Sequence, residues 1–203
     1  MRLPRRRKLT VMVSSTVYGI EDLLNQIFAT LEGYGYTVWM SHKGTIPVSS
    51  KRTAFGNCLE AVDRCDAFPG IITGRYGSGV GLNRKSITHR EMVRAIRSNK
   101  LRWFLVHHEV TVARQLLRQF RFNADGTARK LAFQPTSILD DLRVLEMYEQ
   151  AIRQNRPLSQ RTGNWVQPYS SSEDALRFIR TQFEDPNRMW ELFKDRPVYE
   201  GRK

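Results

Sequence analysis

The chain reads as an α/β protein of the flavodoxin-like or Rossmann-like kind, a mostly parallel sheet with helices on both faces and an α-helical carboxyl-terminal extension. Three observations predict it. Short apolar runs rich in β-branched and aromatic residues alternate with segments of helical period from residue 9 to residue 108, the pattern of right-handed crossovers in a covered parallel sheet. The runs are apolar at consecutive positions, as in strands buried on both faces. Finally, 203 residues with 40% hydrophobic content suit one sizeable core with extensions.

The elements follow in order. "LTVMVSS" (9–15) is a strand that ends in small polar residues. "GIEDLLNQIFATLEGYG" then places Ile20, Leu23, Leu24, Ile27, Phe28 and Leu31 on one helical face and stops at glycine. "YTVWMS" (36–41) is the second strand, "AFGNCLEAVDRC" a helix with Cys58, Leu59 and Val62 inward, and "AFPGIIT" (67–73) the third strand. After the loop "GRYGSGVGLNRKSI" come the helix "THREMVRAIRSN" and the strand "LRWFLVHH" (101–108). "VTVARQLLRQFRF" is a basic amphipathic helix, expected to dock Leu116, Leu117 and Phe120 on the sheet with its arginines outward. "SILDDLRVLEMYEQAIRQN" is a longer helix with Ile138, Leu142, Leu145 and Ala151 on its apolar side, "GNWVQPY" a short strand, and "SSEDALRFIRTQFED" a capped helix. The last stretch, "PNRMWELFKDRPVYEGRK", is expected to be semi-ordered. The chain thus divides into a basic arm (1–8), an α/β nucleotide-binding-like domain (9–122) and a helical elaboration packed on it (123–203).

No apolar run approaches the roughly 18 residues that span a bilayer, and no signal-peptide pattern precedes the first strand, so a cytoplasmic protein without a membrane partner is expected. Cys58 and Cys65 fit neither a metal knuckle nor a disulfide framework and are expected to be reduced packing residues. The histidines show no metal-ligand spacing, and His89 is expected to be an exposed helix residue. The net charge of +13, with "RLPRRRK" concentrating five basic groups at the start, attracts polyanions: nucleic acid, nucleotide phosphates or an acidic partner.

In such sheets ligands bind at the carboxyl ends of the strands, near the point where strand order reverses. Ser14, Ser15 and Thr16 follow the first strand, Ser41 the second, and the loop beginning Gly74, Arg75, Tyr76, Gly77 the third. Hydroxyls and free N–H groups there can hold a phosphate or the edge of a base. "GRYGSGVG" is neither a P-loop nor a dinucleotide fingerprint.

The segments "VMVSST", "CLEAVDRCDAFPGIITGRYGS" and "SITHREMVRAI" resemble the domain of unknown function 4062 family, usually an amino-terminal module of larger signalling or defence proteins. More distantly the chain resembles nucleoside deoxyribosyltransferases and Toll/interleukin-receptor (TIR) domains. The first of these carry an aspartate at the start of the third strand and a Thr-x-x-Glu pair opening the next helix. Asp66, Thr88 and Glu91 match those features, whereas Ser86 stands where those enzymes have an aspartate.

Glu91 therefore has two readings. With Thr88 as N-cap and Glu91 at the third helical position, the pair is a capping box. Alternatively, the carboxylate attacks or stabilises C1′ of a ribosyl group as the base leaves. The resemblance implies a nucleotide-binding signalling or defence module with NAD or another nucleotide as ligand or substrate. The alternatives are a non-enzymatic domain that binds a protein partner or forms a homo-oligomer, and a basic nucleic-acid-binding protein.

Overall fold

The computed structural model describes residues 7–79 and 85–195. A first strand in two segments, β1 (Thr10–Met12) and β2 (Ser14–Ser15), leads into α1 (Glu21–Gly33); β3 (Thr37–Trp39), α2 (Ala54–Arg64), β4 (Ala67–Ile72), α3 (Ile87–Arg97) and β5 (Leu101–His107) follow. Helix α4 (His108–Arg121) leaves β5 directly, and α5 (Arg143–Ala151), β6 (Trp165–Tyr169), α6 (Ser172–Phe183) and α7 (Pro186–Lys194) complete the order.

The sheet runs β3–β1–β4–β5–β6, with β2 also on β4, and every pairing between named strands is parallel. Counting β1 and β2 as one strand, the order is 2-1-3-4-5, the flavodoxin-like arrangement, whose order reverses between the first strand and β4. All six residues of β4 are buried, as a central strand requires. The register pairs Val11 with Ala67 and Ser14 with Gly70, which sets Val13 opposite Pro69. Proline has no N–H to give the ladder, and there the first strand divides into β1 and β2.

Helices cover both faces. Leu23, Leu24, Ile27 and Leu31 of α1 pack with Ile179 and Phe183 of α6 and Met189 of α7 on one side. Val62 of α2, Met92 and Ala95 of α3, and Val144 and Leu145 of α5 fill the other. Arg7 closes the amino end of the sheet. It makes a two-pronged ion pair with Asp66 (2.6 and 2.7 Å) and sits 5.4 Å from the ring centres of both Trp190 and Phe193.

Four local expectations are corrected. The segment before α5 is not helical from Ser137, because Asp140 and Asp141 spend their carboxylates on backbone N–H groups, of Tyr76 and Arg143 respectively. The tail is helical from Pro186 to Lys194, with Asp185 accepting from the N–H groups of Asn187 and Arg188 and proline at the first turn. In α4 the expectation holds for Leu117, which packs against the core, and for the exposed Arg118, but not for their neighbours. Leu116 and Phe120 are 65% and 51% exposed, while Arg114 and Arg121 turn toward α5 and pair with Glu149. In α2 the buried positions are Asn57, Ala61 and Val62, whereas Leu59 and Cys58 are half-buried.

Candidate functional site

Ser86 adopts an extended conformation and its Oγ accepts the N–H of His89, so α3 starts at Ile87. Thr88 is then the second helical residue and Glu91 the fifth, and the expected Thr88–Glu91 capping box does not form. Glu91 is instead turned toward the sheet, 5% exposed. Ser14 Oγ donates to Glu91 Oε2 at 2.5 Å, and the Cys58 thiol of α2 also hydrogen-bonds the carboxylate.

Burial dominates the electrostatics here. It raises the Glu91 carboxyl to about 7, against the opposing pull of the Ser14 and Cys58 donors. Burial and the neighbouring Glu91 charge push the Cys58 thiol up to about 12, so it acts as a donor and not as a thiolate nucleophile. Near neutral pH, Glu91 populates both protonation states, the range in which a carboxyl group serves as acid or base.

The strand ends beside it are tied by hydroxyls. Thr16 Oγ1 lies 3.0 Å from Thr73 Oγ1 and donates to the Arg75 carbonyl at 3.2 Å, and Thr73 Oγ1 accepts the Arg75 N–H. Gly77 has φ +86°, and a Cβ there would stand 2.6 Å from Thr16 Cγ2 and 3.7 Å from Thr88 Oγ1. The loop after β4 thus lies directly on Thr16 and the start of α3. Ser15 turns its Oγ to the Thr16 carbonyl, and the Arg75 guanidinium stacks 5.8 Å from the exposed ring of Tyr18. Together these residues place a buried carboxyl, four hydroxyls and a stacked cation at the carboxyl ends of the first strand and β4, where the strand order reverses.

A family model described as "Domain of unknown function (DUF4062)" matches residues 10–182. The chain belongs to the DUF4062 family. No curated protein matches it. In this DUF4062 chain the matched segment runs from β1 to the last turn of α6, and so includes the whole sheet.

Not every expected residue joins the cluster. Asp66 lies at the amino end of β4, where it takes Arg7 and the Thr10 N–H (2.8 Å); the sheet separates it from Glu91. Ser41 begins an exposed turn after β3. Gly74 serves packing, since a Cβ there would meet the Ile138 carbonyl oxygen at 1.7 Å. Tyr76 is buried, with its OH 2.8 Å from His89 Nδ1 and the Arg143 guanidinium 4.4 Å from its ring centre. His89 is itself fully buried, which corrects the expectation of an exposed residue. Its Nε2 meets Gln150 Oε1 at 3.1 Å, and burial depresses its pKa to about 4. Cys58 and Thr73 are the participants that sequence reading missed; Cys58, in the helix before β4, carried no signal beyond its residue type.

Among the described residues no group of three or more His, Cys, Asp or Glu side chains could hold a metal ion. None of their helices is long and apolar enough to cross a membrane.

Proposed function

We propose that this DUF4062 domain binds a nucleotide at the Ser14–Thr16 and Gly74–Gly77 strand ends and cleaves an N-glycosidic bond of NAD or a related nucleotide through Glu91. The observation that carries this reading is the Ser14–Glu91 hydrogen bond, which holds a buried carboxyl at the switch point of the sheet. The ionised carboxylate attacks C1′ as the C1′–N bond breaks and its electron pair leaves with the base. Water then adds its hydroxyl to C1′, freeing the carboxylate and releasing a proton. Ser14 and Cys58 hold the Glu91 oxygens in place; the partly exposed Ser15 and Arg75 supply a hydroxyl and charge for ribose and phosphate, while the buried Ser86 and Thr88 fix the start of α3 beside them. A module of this kind fits signalling or defence, the setting the family resemblance implies.

The test is NAD hydrolysis by wild-type protein, supplied with an activator or oligomerised, against Glu91→Gln. Loss of turnover by orders of magnitude with retained binding supports the mechanism; full activity in the variant excludes it. One observation favours a second reading, a protein-interaction domain: the exposed apolar residues Val112, Leu116 and Phe120 recur at four-residue intervals on α4.

A further inference from the structure

At the opposite end of the sheet, Arg102, the second residue of β5, has only 4% of its surface exposed, and every partner it finds is neutral. Nε donates to Asn164 Oδ1, and Nη1 to Asn99 Oδ1 (3.2 Å) and the Lys100 carbonyl (2.8 Å). Nη2 is closed off from solvent and has no partner. A second guanidinium approaches it. A Cβ on Gly163, whose φ is +80°, would stand 3.0 Å from Arg102 Nη2 and 3.8 Å from Arg153 Nη2. Arg161, from the same segment, donates only to the carbonyls of Arg156 and Gln154. The ion pairs of the described residues include none of Arg102, Arg153, Arg156 and Arg161.

Buried charge without a counter-charge is costly, and two like charges converging on one turn make it more so. The pKa of Arg102 registers this, held down to about 10 by burial and then by Arg153. Over the same turn opens a cavity of about 620 Å³, whose walls include Arg102, Arg161, Gly163, Asn164 and Trp165, with Asp195 as its carboxylate. Gly163 keeps the wall thin, so the Arg102 charge lies directly beneath the cavity floor. Trp165, 61% exposed on the edge strand, presents a flat apolar face at its side.

We infer that this cavity is an anion site that takes the phosphate group of a small ligand, with Arg161 and the Thr162–Asn164 turn touching the phosphate and Arg102 supplying charge from below. Clustered guanidinium groups suit a multiply charged oxyanion. The site is separate from Glu91 and does not depend on the glycosidic reading.

Calorimetric titration with inorganic pyrophosphate and with ADP tests it, on the full chain carrying Ser15→Leu to block the opposite strand ends. Saturable pyrophosphate binding that weakens about tenfold or more on adding Arg161→Gln is the expected result. Tighter binding of ADP, reduced to the pyrophosphate level by Trp165→Leu, identifies an organic phosphate stacked on that ring; equal binding of both identifies the phosphate alone. Arg161→Gln alters a half-buried residue, so the test holds even if Arg102→Gln fails to fold. Absence of saturable binding of either probe, or affinity unchanged by Arg161→Gln, overturns the assignment.

Discussion

Ser86 Oγ accepts the backbone N–H of His89 at 3.3 Å, and this one bond moves Glu91 out of the capping position and into the sheet's interior. The consequence is a carboxyl group whose energetics are those of burial. Because its pKa rises to about 7 on folding, the folded state holds the proton more tightly than the unfolded chain. The associated stability is fully present below the ordinary carboxyl range and is lost as pH rises toward 7. Glu91→Gln removes that dependence. Its unfolding free energy relative to wild type should therefore climb between pH 5 and pH 8, toward a difference of roughly 3 kcal/mol. Parallel pH curves for the two proteins would show that the carboxyl is not buried in solution.

His89 carries the opposite sign. Its pKa falls to about 4 on folding, so its contribution is present above about 6.5 and is lost as acid protonates the imidazole. The two dependences overlap between about pH 4.5 and 6.5 and offset each other. In that window wild-type stability should be nearly flat, while His89→Gln should gain stability on acidification and Glu91→Gln should lose it. Denaturant midpoints measured across the window check both slopes.

Much of the fold was legible in the sequence. The uninterrupted burial of Ala67–Ile72 and the apolar face of Leu23, Leu24, Ile27 and Leu31 are local patterns that match what they pack against. The site was legible only in part. "SITHRE" offers two capping frames, Ser86 to His89 and Thr88 to Glu91, and composition cannot choose between them; the structure uses the first because Glu91 has a partner 77 residues earlier in the chain, Ser14. Helix α4 misled for a related reason. Arginines normally lie outward, but Glu149 of α5 draws Arg114 and Arg121 inward and turns Leu116 and Phe120 to solvent. Asp66 adjoins the right strand at the wrong end, a distinction its spacing does not encode.

Gly74→Ala should be among the most damaging small substitutions. Its Cβ would collide with the Ile138 carbonyl, which is backbone and cannot rotate away, and the Asp140 N–H bond to the Gly74 carbonyl (3.0 Å) would be displaced with it. A loss of roughly 2–3 kcal/mol in chemical denaturation is expected. Near-wild-type stability would mean that the 136–140 segment yields readily.

The expected basic arm is testable in two parts, divided at Arg7. Arg7→Ala leaves the buried Asp66 carboxylate with the Thr10 N–H in place of its ion pair, and should cost about 1–3 kcal/mol. Deleting residues 1–6, which lie outside the described residues, should leave stability unchanged and weaken polyanion binding with a shallower salt dependence. Binding of RNA or DNA unaffected by that deletion would remove the arm from any such role.

Leu116→Ser combined with Phe120→Ser should change stability by no more than about 1 kcal/mol, because both side chains are more than half exposed. Oligomeric state by sedimentation and NAD turnover can then be compared. Loss of self-association with the fold intact supports the protein-interaction reading of α4; an unchanged oligomeric state and turnover assigns no role to that stripe.

The contact of Arg7 with Trp190 and Phe193 brings the two ends of the described chain together beneath the sheet, at the end away from Glu91. Such a chain is a natural subject for circular permutation. A linker replacing the segments outside residues 7–195 can join Arg7 to the end of α7, and the backbone can be opened at the exposed Asp125–Gly126 turn without disturbing the strand ends that carry Ser14 and Thr73. Among the described residues, Arg7 and Phe193 lie at one end of the sheet while Ser15 and Thr73 lie at the other, so changes made at the first end need not reach the second.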